Sequence, residues 1–140
     1  MKRVFVDTSA FVAFIDKRDP KHGEALVAFS LVQERNIELV TTDFILDETI
    51  TMVLSRAGHQ KAVEVGEHIL TSKALTLIWL DTNLKMKAWE YFKRYRDKRY
   101  SFTDCTSFVL MKEMRLRHYI AFDEHFKQAG FVKCGGESLS

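Results

Sequence analysis

Two aspartates each close a short apolar run: Asp7 follows Val4-Phe5-Val6, and Asp123 follows Tyr119-Ile120-Ala121-Phe122. In an open parallel sheet, ligands gather beyond the carboxyl ends of the strands, where acids so placed fall. The plainer role of either residue taken alone is an Asx-turn or a helix cap. Asp104 adds a third acid. On a helix starting at Thr103 it shares a face with Phe108 and Met111, four and seven residues on. Cys105, Thr106 and Ser107 after it are small and admit a close approach. Ser101-Phe102-Thr103-Asp104 also has the form of a capping box. An ionised carboxylate on an apolar face needs a counter-charge or dense hydrogen bonding, and a divalent ion supplies the first.

Glu48 is less legible. The apolar stripe of its helix reads as Leu46, Ile50, Val53 and Ala57, with Glu48 nearly opposite, so solvation is the default. Phe44 and Met52, one turn either side, make that face not simply polar, and Asp43 and Asp47 stand nearby as alternatives.

Other chemistries find no support. His22, His59, His68, His118 and His125 match no HExxH or Cys/His set. Ser9 lies in no nucleophile elbow, and no glycine-rich loop is spaced to cradle a phosphate. A set of carboxylate oxygens selects a hard cation, Mg²⁺ or Mn²⁺. Such ions polarise phosphoryl oxygens and lower the pKa of bound water, so phosphate-ester hydrolysis is the reaction to expect.

The rest of the sequence must position these acids. The 140 residues argue for one domain spanning 1–140 with a core large enough to need no staples. Hydrophobic residues at 46% and charged ones at 29% exclude extensive disorder, and a net charge of +2 excludes binding to nucleic acid or lipid by bulk charge alone. Cys105 and Cys134 form no framework, no leader is recognisable and no apolar run approaches a membrane span. A cytoplasmic soluble domain is expected.

Strands are expected at Val4–Val6, Glu38–Thr41, Leu75–Leu80 and Tyr119–Phe122, with an edge strand at Phe131–Cys134. Between them lie helices over Ala10–Ile15, Ala25–Gln33 (Asp19 as N-cap, Pro20 in the first turn), Asp43–Ser55 ended by Gly58, and Gln60–Leu70. Further helices run from the Asp81-Thr82 cap to about Arg96 and over Thr103–Met114, with a turn or short helix at Glu124–Gln128 and a frayed tail after Cys134. Short apolar strands alternating with helices predict an α/β fold with a mostly parallel sheet.

Four blocks, Val4-Phe5-Val6-Asp7-Thr8-Ser9-Ala10-Phe11, Leu46-Asp47-Glu48, Ser101-Phe102-Thr103-Asp104 and Phe122-Asp123-Glu124-His125-Phe126, resemble in order and spacing the signature blocks of PIN-domain ribonucleases. Compact members are most often VapC-type toxins of toxin–antitoxin pairs. The resemblance implies a three-layer PIN-like fold, a parallel sheet of about five strands flanked by helices. It also implies Mg²⁺- or Mn²⁺-dependent cleavage of single-stranded or looped RNA. By resemblance Asp7, Glu48, Asp104 and Asp123 are the catalytic, metal-holding acids, and it selects Glu48 over Asp47. Asp7 and Asp104 would be direct ligands, and Glu124 is the alternative to Asp123. Thr8 and Ser101 are hydroxyls beside the acids and candidate substrate contacts. The family also implies a protein antitoxin and a homodimer.

Charge is uneven. Residues 85–99 hold seven basic residues against two acids, a local +5. Leu84, Ala88, Tyr91 and Tyr95 form the inward stripe of that helix and leave most cations outside. The bland reading is a solvated helix face. The functional one is a phosphate-tracking edge toward Asp104, with Arg96, Lys98 and Arg99 as RNA contacts. Trp89 projects off the stripe as a candidate interface aromatic. Two rivals remain: a phosphoacceptor or phosphatase-like α/β domain, and a catalytically silent RNA-binding module of the same fold. Against the first, Ser9 stands where a dehalogenase-type site needs an acid, and Asp7 has no adjacent acid.

Overall fold

Val4, Phe5 and Val6 are wholly buried, as a strand covered on both faces requires, and they form the centre of the sheet. The computed structural model describes residues 3–134. In chain order the elements are β1 (Arg3–Val6), α1 (Thr8–Ile15), α2 (His22–Glu34), β2 (Glu38–Thr42), α3 (Asp43–Ala57) and α4 (His59–Thr71). There follow β3 (Leu75–Ile78), α5 (Thr82–Arg94), α6 (Phe102–Glu113), β4 (His118–Ile120), α7 (His125–Gln128) and β5 (Val132–Lys133).

The five strands pair in the order β3-β2-β1-β4-β5, and every pairing is parallel. The α/β fold with a parallel, five-stranded sheet flanked by helices is as expected. Right-handed crossovers dictate the layers. The chain steps outward from β1 to β2 to β3, placing α1 to α4 on one face. It then returns past β1 to β4 and β5, placing α5 to α7 on the other. Phe5 accordingly meets α7, its ring 5.9 Å from that of Phe126, and Phe126 lies 5.0 Å from both Phe108 and Tyr119. Phe108 is fully buried, and its truncation to Ala costs about 3–5 kcal/mol.

Several local expectations shift. The helix expected from Pro20 with Asp19 as its cap starts at His22, and its cap position, Lys21, makes no side-chain bond. Asp19 instead closes the preceding turn, accepting the Lys21 N–H at 2.8 Å. β3 stops at Ile78 because the Leu80 N–H is taken by Asp43 Oδ1 at 2.9 Å. α5 ends at Arg94, two residues early. Gly58, with φ 93°, separates α3 from α4 in a conformation that L side chains rarely adopt. Asp81 caps α5 as read from sequence, accepting the Leu84 N–H at 2.8 Å. Cys105 and Cys134 are buried free thiols. The expectation of a frayed tail falls on residues 135–140, outside the described residues.

Candidate active site

β1 is the strand at which the order reverses, since β2 is its neighbour on one side and β4 on the other. Beyond the carboxyl ends of β1 and β4 lies the crevice where open α/β sheets bind ligands. Asp7 and Asp123 are both there. The Asp7 N–H donates to Ile120 O at 3.0 Å and ties the two strand ends together. A cleft of about 380 Å³ opens at this point, lined by Asp7, Glu48, Asp104, Asp123 and His125 among others.

The plainer roles weighed from sequence are present alongside the convergence. Asp7 caps α1, its Oδ2 accepting the Ser9 N–H at 3.2 Å and the Ser9 hydroxyl at 2.8 Å. Asp104 and Ser101 make the capping box, Ser101 N–H to Asp104 Oδ2 at 3.0 Å and Asp104 N–H to Ser101 Oγ at 2.9 Å. Asp123 Oδ1 accepts the His125 N–H at 3.0 Å. In each acid a single oxygen is committed to these bonds. The other, Oδ1 of Asp7, Oδ1 of Asp104 and Oδ2 of Asp123, carries no hydrogen bond among the described residues. The caps therefore orient the carboxylates without using them up.

Electrostatics point the same way. Asp7 is only 4% exposed, and its carboxyl is pushed from 3.8 up to about 7, first by burial and then by repulsion from Asp123, with Asp104 adding to it. Asp123 is raised too, by burial and then by Asp104. Acids that repel one another at a strand end are held in place by the fold rather than by mutual attraction.

Glu48 lines this cleft while Asp47 is exposed. The fully buried residues of α3 are Ile45, Leu46, Thr49 and Val53, while Ile50 and Ala57, the other members of the stripe read from sequence, pack partly buried against the same core. A buried threonine at position 49 widens the inward face and brings Glu48 to its margin. Glu48, Met52 and Arg56, spaced by four, all reach the cleft. Asp43 is occupied with Leu80, and Glu124 is exposed and off the cleft. Thr8 and Ser101 both line it. Arg96, Lys98 and Arg99 stand exposed on the segment after α5, outside the cleft lining, with Lys98 3.9 Å from Asp97.

Sequence reasoning missed four contributors. His125 fits no zinc spacing, yet its Nδ1 lies 2.7 Å from Asp104 Oδ2. Ser9, not Thr8, carries the hydroxyl bonded to Asp7, and the same Ser9 Oγ accepts the Phe122 N–H at 2.9 Å. Lys21 and Arg56 put cations on the rim, Arg56 3.7 Å from Asp19 and Lys21 3.3 Å from Glu24. The signal for Ser9 and His125 was adjacency to an acid already singled out.

The residues fit a divalent cation. Asp104, Asp123 and His125 offer ligand atoms all within 4.8 Å of one another. Thr8 Oγ1 is buried in the cleft wall with no hydrogen-bond partner among the described residues, a polar atom that a bound water or ion would satisfy. Mutually repelling acids with free oxygens are the donors a hard ion requires.

A family profile of the PIN domain matches residues 4–132. This chain belongs to the PIN-domain family. Its relatives place it among the VapC-type PIN-domain ribonucleases. The 23S rRNA-specific endonuclease VapC20 of Mycobacterium tuberculosis is 34% identical over 130 residues, covering 93% of this chain and 96% of that protein. A VapC ribonuclease of Archaeoglobus fulgidus is 31% identical over 86% of this chain and 77% of its own length. The crystal structure of the M. tuberculosis VapC20, described as a sarcin-ricin loop cleaving toxin, superposes with a TM-score of 0.83 at 32% identity. That match covers 92% of this chain and 96% of that one. The PIN fold and the VapC-type resemblance read from the four sequence blocks agree with these matches. Among the described residues no helix is long and apolar enough to cross a membrane.

Proposed function

We propose that this VapC-type PIN domain is a divalent-metal-dependent endoribonuclease, the toxin of a toxin–antitoxin pair. The observation that carries the reading is the set of free oxygens on Asp7, Asp104 and Asp123, gathered with Glu48 beyond the switch-point strand. Likeness to the VapC20 proteins supports a loop of the large ribosomal RNA as substrate.

Asp7, Asp104 and Asp123 would hold Mg²⁺ or Mn²⁺, with Glu48 on the cleft wall and His125 bonded through Nδ1 to Asp104 Oδ2. When bound, the ion supplies charge for the phosphoryl oxygens and a water of lowered pKa. The protein's part is orientation. Ser9 and the Phe122 N–H fix Asp7 against the end of β4, and Ser101 with His125 fixes Asp104. Glu48 would take the proton of the attacking water, whose oxygen bonds to phosphorus as the P–O bond to the leaving ribose oxygen breaks and that oxygen takes a proton from solvent. Lys21 and Arg56 on the rim, with Arg96, Lys98 and Arg99 further out, steer and hold the phosphate backbone. Thr8 and Ser101 are the substrate-side hydroxyls.

The chain would act as a single PIN unit in the cytoplasm, paired with itself as a homodimer and silenced by a protein antitoxin. Mapping RNA 5′ ends after induced expression tests the reading. One dominant new end within a ribosomal RNA loop, absent with Asp7→Asn, is expected. An end profile identical between wild type and variant would refute it.

A further inference from the structure

The loop between α1 and α2 grips the end of α3 at a single residue, Arg56. Arg18 Nη2 donates to the Arg56 carbonyl, and Arg18 is itself fixed by Asp16, whose Oδ1 accepts its backbone N–H at 3.0 Å and its Nε–H at 3.2 Å. Asp19 meets the side chain. Its Oδ1 accepts the Lys21 N–H at 2.8 Å, and its Oδ2 lies 3.7 Å from Arg56 Nη1. At that separation the pair is electrostatic and not a hydrogen bond, so Asp19 aims the guanidinium and leaves its N–H donors unspent. Lys21 and Arg56 both line the carboxylate cleft, and they differ in this respect. Lys21 bonds to Glu24 at 3.3 Å, whereas the Arg56 side chain makes no hydrogen bond among the described residues. Glu48, Met52 and Arg56 stand on one face of α3 and run from the half-buried wall of the cleft to its exposed lip. Arg56 lies about two turns, about 12 Å along the axis, beyond Glu48.

We propose that Arg56 grips one flanking phosphate of the RNA where the strand leaves the carboxylate cleft, with Asp19 as the residue that positions it, an inference that rests on the ribonuclease reading above. Sharing a helix face and a cleft lining with Glu48 commits Arg56 to whatever occupies that cleft. A guanidinium with open, parallel donors is built for two-point bonding to a phosphate. The distance along α3 from Glu48 sets that bond on a neighbouring linkage and not on the one being cut. Bulk attraction is small here, because Asp16, Asp19 and Glu24 pair with Arg18, Arg56 and Lys21. What selects the phosphate is the open donors of Arg56, held at a fixed place on the lip from both its main chain and its side chain.

The test uses the full chain carrying Asp7→Asn, so that binding is read without cleavage. Affinity for a labelled, unstructured oligoribonucleotide is measured by anisotropy over a salt series. Adding Arg56→Ala should weaken binding roughly 10- to 150-fold, the range for hydrogen bonds to a charged group. The slope of log affinity against log salt should drop by about 0.7, one contact on a single strand. Arg56→Lys should restore the slope but only part of the affinity, because an ammonium cannot make the paired bonds. Ethylation interference on a labelled hairpin of the large ribosomal RNA then locates the contact. One linkage whose ethylation blocks binding of the parent should no longer block binding of Arg56→Ala. With Asp19→Asn that signal should spread onto the adjoining linkages. An unchanged slope for Arg56→Ala in a normally folded protein, or an interference pattern identical to the parent's, overturns the grip and leaves Arg56 to a carboxylate of a protein partner. A signal confined to one linkage in Asp19→Asn removes Asp19 as the positioning residue. Wild-type protein that cleaves no RNA while Arg56→Ala still loses one contact removes the nuclease reading and leaves the grip standing.

Discussion

Asp104 and His125 meet at 2.7 Å through Oδ2 and Nδ1, and that contact leaves Asp104 Oδ1 open to the cleft. Groups that fix the orientation of a metal ligand from behind are worth about 10- to 100-fold in metal affinity. His125→Ala is therefore expected to weaken Mn²⁺ binding by that factor in calorimetric titration. Its effect on folding should be small, because the side chain is 31% exposed. Unaltered Mn²⁺ affinity would remove His125 from the site.

Asp7 gives a pH signature. Its carboxyl is raised from 3.8 to about 7, so between those values the folded chain keeps a proton that the unfolded chain has lost. The metal-free protein should therefore be most stable below about 3.8 as far as this group is concerned, lose stability up to about 7, and level off above. The loss is of order 4 kcal/mol, since each tenfold change in proton affinity between the folded and unfolded chain carries about 1.4 kcal/mol. Asp7→Asn should flatten this slope and raise Tm at neutral pH in EDTA. Parallel Tm–pH curves for the two proteins would contradict a buried, repelled Asp7.

Glu48 and Asp47 should separate cleanly. Glu48→Gln is expected to lower cleavage by about 10²–10⁴-fold, the range for a positioned proton acceptor. Asp47→Asn, on an exposed side chain, should leave the rate within twofold of wild type, about 0.4 kcal/mol. Single-turnover cleavage of ribosomal RNA measures both, and equal losses would mean the helix acid was misassigned.

Arg96, Lys98 and Arg99 stand outside the cleft, so in the proposed reading they would act on RNA binding and not on the chemical step. Replacing all three by Ala should reduce the slope of log affinity against log salt by about 2, at roughly 0.7 per charge for a single strand. The single-turnover rate at saturating RNA should not change. A preserved slope would place the RNA path elsewhere.

Much of this arrangement is written locally. Val4-Phe5-Val6 and the Asp81 and Ser101–Asp104 caps depend on neighbours within a few residues, and the sequence displays them. What it hides is breadth and reach. Thr49 is polar by type yet fully buried, so periodicity counted on apolar residues alone made the inward face of α3 too narrow and left Glu48 opposite it. Ser9 bonds to the Phe122 N–H across 113 residues, and His125 reaches Asp104 across 21. Only the order of the strands brings those partners together. Asp19 shows the converse error: a good capping residue, it spends its carboxylate on the turn before α2 because Pro20 and Lys21 still lie between it and the first helical residue.

The most direct test is single-turnover cleavage of ribosomal RNA by wild-type protein and Asp104→Asn, each with Mn²⁺ and with EDTA. One discrete cut by the wild type with Mn²⁺, and none in the other three reactions, is expected if the free carboxylate oxygens hold a catalytic ion. The same cut surviving in EDTA, or in Asp104→Asn at comparable rate, would contradict a metal-dependent carboxylate site.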